Sequence, residues 1–179
     1  MNYLIFGGSG FIGNHLVNLI KEKYPDSNVY NLDIRENNHD GKSKYIHCDV
    51  RQPINLNIEL DQNDIIFNFA AVHTTPGHPD HEYFETNIKG AENVTAFAEN
   101  FGIKKILFTS SIAPYGASEE MKTEETLPMP NTPYGISKLV AEKIHMIWQA
   151  KNLERQLTIV RPGVVFGKGE NGNFTRLYW

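Results

Sequence analysis

Tyr3-Leu4-Ile5-Phe6-Gly7-Gly8-Ser9-Gly10-Phe11-Ile12-Gly13 is an apolar, β-rich run that passes straight into glycines at 7, 10 and 13. An amphipathic run from His15 to Tyr24 follows. The pattern predicts a strand, a tight turn and a helix. A phosphate at such a helix start meets unpaired backbone N–H groups and the positive end of the helix dipole. Gly7 suits the positive φ of the turn, Gly10 lets backbone approach a diphosphate, and Gly13 allows close packing of helix on strand. Gly7, Gly10, Phe11, Ile12 and Gly13 are therefore the candidate diphosphate contacts. The spacing is Gly-x-x-Gly-x-x-Gly, shifted from the plainest dinucleotide motif but placed in the context that motif requires.

Asn28-Val29-Tyr30-Asn31-Leu32-Asp33 reads as a second strand ending in a carboxylate, 20 residues after Gly13. A carboxylate there can accept hydrogen bonds from an adenosine ribose and repels a 2′-phosphate. The expected cofactor is NAD rather than NADP. Arg35 qualifies that preference, since a guanidinium so close is able to receive an extra phosphate.

The periodicities alternate along the chain. Strands are expected at 2–6, 28–33, 44–48, 64–70, 104–109 and 157–161, and helices near 11–24, 80–100 and 134–151, with a shorter one near 53–61. Near-continuous apolar runs such as Ile65-Ile66-Phe67 and Ile106-Leu107-Phe108 suit a parallel sheet covered on both faces. Strand and helix in turn predict an α/β fold: a Rossmann-like, doubly wound parallel sheet with helices on both faces. At 179 residues the chain suits one such domain. Net charge is −4 with no block of like charge, so neither a nucleic-acid nor a membrane surface is expected. The single cysteine, Cys48, excludes an internal disulfide. No apolar run reaches membrane-spanning length and residues 2–6 already behave as a strand, so a cytoplasmic protein is expected.

Two loops rich in turn residues, 74–79 and 118–132, follow strand ends, where an open α/β sheet places its ligand. Tyr134 and Lys138 open the helix at 134–151, with Thr132 as its N-cap and Pro133 in the first helical position. Four apart, they share one helix face about 6 Å along the axis. A phenol ionises near pH ~10, and a neighbouring ammonium favours the phenolate, which is then a base at neutral pH. Alone, such a pair also reads as an ordinary surface Tyr-Lys contact. Ser111, at the end of the fifth strand, adds a hydroxyl able to hold a substrate oxygen while Tyr134 takes its proton. His73, His78 and His81 lie in or just beyond the loop after the fourth strand; they form no metal motif and read mainly as solvated loop residues.

Together the glycine motif, Asp33, Cys48-Asp49-Val50, Asn68-Phe69-Ala70-Ala71, Asn87 with Gly90, Thr109-Ser110-Ser111, Tyr134 with Lys138, and Arg161-Pro162 resemble the extended short-chain dehydrogenase/reductase family, in its NAD-dependent sugar epimerase/dehydratase branch. By that resemblance Asp49 and Val50 are adenine contacts, and Ala70, Ala71 and Val72 wall the diphosphate and nicotinamide ribose. Asn87 braces the strand and helix ends. Thr109 joins the cofactor contacts, Lys138 bonds the nicotinamide ribose, and Pro162 lies beside the nicotinamide. Taken singly, Asp49 and Asn87 read equally well as solvated turn and helix positions.

The reaction implied is removal of a sugar hydroxyl proton by Tyr134 while hydride passes to NAD⁺, Ser111 steadying the forming carbonyl; return of the hydride to the other face completes an epimerisation. The expected substrate is a nucleotide-sugar. Ile112 and Ala113 stand where the 4,6-dehydratases of this branch carry an acid-base Asp-Glu pair, and Val164 stands where typical UDP-galactose 4-epimerases carry a substrate-contacting asparagine. Epimerase or keto-sugar reductase remains. Family members continue with a last core strand and a smaller substrate domain, whereas this sequence ends Asn173-Phe174-Thr175-Arg176-Leu177-Tyr178-Trp179, like an element cut short. A shortened NAD-binding module without turnover is the alternative, and weak binding of nucleotide-sugar is expected. The family also implies a homodimer through the helices at 80–100 and 134–151, with Ala91, Val94, Ala98, Ile144 and Trp148 as candidate contacts.

Overall fold

The computed structural model describes residues 1–37, 39–73 and 77–169. Positions 74–76 of the first turn-rich loop and the terminal run 170–179 lie outside them. β1 (Asn2–Phe6) leads through α1 (Phe11–Lys23) to β2 (Asn28–Asp33) and β3 (Lys44–His47). β4 (Ile65–Asn68), α2 (Asp80–Tyr83), a π-helical turn (Phe84–Ile88) and α3 (Lys89–Asn100) follow. β5 (Lys105–Thr109), a 3₁₀ turn (Ala113–Tyr115), α4 (Pro133–Ala150) and β6 (Gln156–Val160) complete the order. Every pairing is parallel and the strand order is β3-β2-β1-β4-β5-β6. The chain thus crosses from the β3 edge back to the far side of β1. The strand order reverses between β1 and β4, which opens a crevice at their carboxyl ends.

Strand alternation divides the core. Leu4, Phe6, Tyr30, Leu32 and Ile66 face α3 and α4, packing with Val94, Phe97, Ala98 and Trp148. Tyr3, Ile5 and Val29 face α1, where Val17 and Ile20 cover them. Full burial of a side chain such as Val17 or Ile20 contributes about 1.5–3 kcal/mol, which is what holds α1 to the sheet. Lys21 closes the far end of that helix, its Nζ donating to the carbonyls of Pro25 (2.5 Å) and Ser27 (2.8 Å).

The structure departs from expectation in three places. Residues 53–61 are irregular, not helical: Ile54, Leu56, Ile58 and Leu60 recur at every second position and all pack on the core. That spacing is the period of a strand face. The stretch 80–100 is not one regular helix, because the π turn at Phe84–Ile88 interrupts it and rotates Asn87 inward. The proposed dimer contacts Ala91, Val94, Ala98 and Trp148 are 0–2% exposed, and Ile144 packs with Ala91, Phe108 and Ala141. These side chains pack α3 and α4 on the sheet and on each other within the one chain. The apolar residues that α4 turns outward are Ile136, Val140, Met146 and Ile147.

No helix among the described residues is long and apolar enough to cross a membrane.

Candidate active site

The crevice between β1 and β4 is floored by the glycine turn. Gly7 has φ +79°, and a Cβ there would lie 2.7 Å from the Ala70 nitrogen, so the turn runs directly against the chain leaving β4. Gly13 packs on the turn itself rather than on the strand: a Cβ would sit 2.5 Å from the Gly8 carbonyl oxygen and 2.6 Å from its Cα. Around Gly10 only the Gly7 carbonyl comes near. Helix α1 starts here with no side-chain cap and no acidic residue in its first turn. The N–H groups of Phe11, Ile12 and Gly13 have no carbonyl four residues earlier within the helix, so they are available to an anion. A cleft of about 250 Å³ beside this turn is lined by Phe11, Ile12, His15, Val165, Phe166 and Gly167.

Asp33 is buried at the end of β2. Its Oδ2 accepts from the Ser9 backbone N–H (3.0 Å) and its Oδ1 from that of Arg35 (2.9 Å). A carboxylate has about four acceptor positions, so both oxygens retain capacity for ribose hydroxyls. Asp49 is gripped by Arg51, whose Nε and Nη2 reach its two oxygens at 2.6–3.0 Å. Those bonds hold its carboxyl below the usual range. Val50 is a core residue, and its carbonyl accepts from Asn93 (2.7 Å).

Ala70 and Ala71 are half-buried along the exit from β4. At Val72 the backbone is clamped by Asn87, whose Oδ1 accepts from the Val72 N–H (2.9 Å) and whose Nδ2 donates to the Val72 carbonyl (3.1 Å) and to Ser137 Oγ (2.8 Å). One amide thereby ties the β4 exit to α4.

Thr132 caps α4 from the predicted position, accepting from the Gly135 N–H at 3.0 Å. Tyr134 lies in the first turn, its ring 6.2 Å from that of buried Tyr83. Burial pushes its phenol pKa up, while a hydrogen bond with Ser111 opposes the rise. Ser111 also accepts from the Ala113 N–H (3.1 Å). Lys138 shares the Tyr134 face, but its ammonium is directed at β5: Nζ donates to the Thr109 carbonyl (2.6 Å) and stands 4.3 Å from the Phe108 ring centre. The expected pull of Lys138 on the phenol is therefore not what sets its pKa in the free protein. Burial pushes Lys138 itself down to about 7, with Glu142 opposing. Pro162 adjoins this group, its carbonyl accepting from the Ile112 N–H (3.1 Å).

His73 and His81 are exposed, and His78 pairs with Glu82 at 2.6 Å. No group of three or more His, Cys, Asp or Glu residues among the described ones is placed to hold a metal ion.

Sequence reasoning gave no role to Glu142, which is 1% exposed yet charged. It accepts from Ser110 Oγ (2.5 Å) and from Arg161 Nε (2.8 Å) and Nη2 (2.6 Å). Arg161 also donates to the Tyr115 hydroxyl (2.6 Å) and lies 4.8 Å from that ring's centre. The ends of β5, β6 and the 3₁₀ turn are thus fastened to α4 immediately behind Ser111 and Pro162. The sequence signal was present: Glu142 lies four residues beyond Lys138, on the face of α4 that has to be inward.

The site thus has a helix start with no side-chain cap, able to take an anion, a buried acid with acceptor positions to spare, and Ser111, Tyr134 and Lys138 at the ends of β5 and α4. A dinucleotide fits these residues. Residues 3–177 match the NAD dependent epimerase/dehydratase family. The N-acetyl-alpha-D-glucosaminyl-diphospho-ditrans,octacis-undecaprenol 4-epimerase of Escherichia coli O157:H7 is 36% identical over 177 residues, which are 98% of this chain and 52% of that protein. A UDP-glucose 4-epimerase of Lacticaseibacillus casei is 34% identical, over 83% of this chain and 46% of its own length. Among solved structures, a UDP-galactose 4-epimerase superposes with a TM-score of 0.79 at 25% identity, over 90% of this chain and 55% of the other. MoeE5, in complex with UDP-glucose and NAD, gives 0.71 at 26% identity, over 89% and 52%. The chain spans about half the length of these relatives. With the match running through the glycine turn, the serine and the tyrosine-lysine helix, this chain belongs to the NAD-dependent epimerase/dehydratase family.

Proposed function

We propose that the chain forms the cofactor-binding and catalytic half of a 4-epimerase acting on a diphosphate-linked hexose. The observation that carries this reading is the convergence of Ser111, Tyr134 and Lys138 at the mouth of the β1–β4 crevice, opposite an anion-ready helix start. The relatives support the substrate class, because a sugar diphosphate ester is common to a nucleotide-sugar and a polyprenol-linked sugar. Gly7, Gly10, Phe11, Ile12 and Gly13 would hold the diphosphate of NAD and Asp33 its adenosine ribose. Asp49, Val50, Ala70, Ala71, Val72, Asn87, Thr109, Lys138 and Pro162 would complete its surroundings.

When bound, NAD supplies the acceptor and later the donor for the hydrogen carried on C4 with its electron pair. Tyr134 takes the proton of the C4 hydroxyl and gives it back after the keto-sugar has turned over. Ser111 donates to the oxygen as it becomes a carbonyl. Burial keeps the Tyr134 phenol protonated in the free protein, so Tyr134 becomes a base only when positive charge is brought beside it. Deprotonation of substrate is in this way tied to cofactor loading. Ile112 and Ala113 offer no proton where the dehydratases place their acid and base, which favours epimerisation.

We further infer a cytoplasmic protein and a homodimer built on the outward face of α4. Ile136, Val140 and Ile147 recur there at helical spacing and are 37–59% exposed. The catalytic reading is tested by incubating the chain with NAD and UDP-glucose, UDP-N-acetylglucosamine or a polyprenyl-diphospho-N-acetylglucosamine, then resolving C4 epimers chromatographically. The expected result is an epimer from one of these with wild type and none with Tyr134→Phe, while both bind NAD equally. Undiminished turnover by Tyr134→Phe defeats the assignment. Net accumulation of a reduced or oxidised sugar, with matching change at 340 nm, identifies a reductase instead.

A further inference from the structure

The loop from β2 to β3 contains a buried polar knot that a dinucleotide motif does not require. His39 is 5% exposed and has a left-handed backbone at φ +54°, followed by Asp40 at +55° and Gly41 at +80°. Side chains disfavour that region, so two non-glycine residues in succession need contacts to hold them there. The His39 N–H donates to Asn37 Oδ1 (2.8 Å), and the Lys42 N–H donates to the His39 carbonyl (3.1 Å). The imidazole lies with Nδ1 2.6 Å from Ser43 Oγ and Nε2 3.0 Å from the Gly8 carbonyl oxygen. A carbonyl only accepts, so Nε2 carries the ring proton and the Ser43 hydroxyl donates to Nδ1.

Gly8 belongs to the glycine turn, and its neighbour Ser9 is tied to the same loop. Ser9 Oγ donates to the Arg35 carbonyl (2.7 Å), and Asn31 Nδ2 donates both to Ser9 Oγ (2.9 Å) and to the Asn37 carbonyl. The Ser9 N–H is the donor to Asp33. The turn and the ribose-facing acid are therefore linked through one set of bonds, and the His39 ring closes it.

We propose that His39 is a positioning residue for the dinucleotide, its Nε2–H holding the glycine turn against the β2–β3 loop so that diphosphate and adenosine ribose meet one rigid frame, and that this makes binding acid-sensitive. The proposal rests on NAD binding at this turn. Burial lowers the His39 pKa below its ordinary value; the Gly8 carbonyl, Asp40 and Asp33 favour the charged ring, and Lys42 opposes it. Lys42 is itself held by Asn18 of α1 (2.5 Å). A base whose pKa is depressed in the clamped state imposes no penalty above about pH 6.5 and a growing one below it. Acid therefore favours the ring leaving the knot, and the frame loosens.

The test is calorimetric titration of the 179-residue chain with NAD⁺ and with ADP-ribose near pH ~7.5 and ~5.5, on either side of the ordinary imidazole value. The proteins are wild type, His39→Gln and His39→Ala. Glutamine and alanine share the same left-handed backbone strain and differ in the donor, which Gln retains. Loss of one such hydrogen bond should weaken both ligands about tenfold in His39→Ala, and His39→Gln should stay within about threefold of wild type. Wild type should weaken at the lower pH while His39→Gln does not. Equal weakening of Ala and Gln, no weakening of Ala, or acid sensitivity that persists in Gln each overturns the proposal while leaving NAD binding standing. Absence of NAD binding by wild type near pH ~7.5 overturns it together with the reading it rests on. If His39→Ala does not fold, the pH comparison of wild type with His39→Gln decides.

Discussion

Replacing Glu142 with leucine removes one partner of a buried ion pair and leaves the other in place. The Glu142 side chain is 1% exposed and that of Arg161 20%. Three hydrogen bonds end on the carboxylate, two from Arg161 and one from Ser110. Breaking a buried pair by removing one partner costs about 3–5 kcal/mol. Arg161 retains some access to water and its bond to Tyr115, which places the expected loss near the lower end, about 3 kcal/mol. For a chain of this size each kcal/mol shifts the melting temperature by roughly 2–4 °C, so Glu142→Leu should melt about 6–12 °C below wild type. Arg161→Met should cost a similar amount, since it strands the carboxylate. The double variant removes both charges, and exchange of a buried pair for apolar side chains is often neutral. Urea unfolding of all four proteins therefore should give a coupling of about 2 kcal/mol or more in the double-mutant cycle. A coupling below roughly 0.5 kcal/mol, the scatter between independent sites, would refute the view that this pair fastens the strand ends to α4.

Further outcomes follow from the same geometry. Gly13→Ala places a methyl 2.5 Å from the Gly8 carbonyl oxygen; such overpacking should cost about 1–3 kcal/mol and abolish detectable NAD binding, measured by melting with and without NAD. Lys138, with its pKa pushed down to about 7, binds fewer protons folded than unfolded between pH ~7 and ~10. The unfolded state takes up more protons there, so stability should rise with pH across that window, and urea midpoints of Lys138→Met should lose that part of the slope. Ile147→Glu should turn a dimer into a folded monomer in sedimentation velocity, because this side chain is 59% exposed and leaves the core untouched.

The parts of the fold readable from sequence were those set by local pattern. β1 and its glycine turn are contiguous, and the Thr132 cap and Pro133 announce α4 within three residues. Tyr134 and Lys138 share a face at any helical spacing. What failed depended on how distant elements meet. At 53–61 the apolar residues Ile54, Leu56, Ile58 and Leu60 alternate strictly, a two-residue period that no helix face has, and each is placed by core residues distant in sequence. The apolar residues of α3 and α4 suit a partner and the sheet equally well in sequence, which does not say which face the sheet covers. Glu142 found Arg161 across 19 positions, and His39 found Gly8 across 31; no spacing rule connects either pair. The Lys138 ammonium was aimed at the phenol by helical geometry, whereas the Thr109 carbonyl, supplied by a strand, is what it contacts.

Helix α1 has Gly10 at its N-cap and no capping side chain. A serine or aspartate there would add roughly a few tenths of a kcal/mol over glycine, and the fold forgoes it. An anionic guest then acts as a structural part supplied from outside: at a hundred times its dissociation constant it adds about 2.7 kcal/mol to the folded state. The lifetime of such a protein against cellular proteases would track the pool of its own ligand, with starved molecules cleared first.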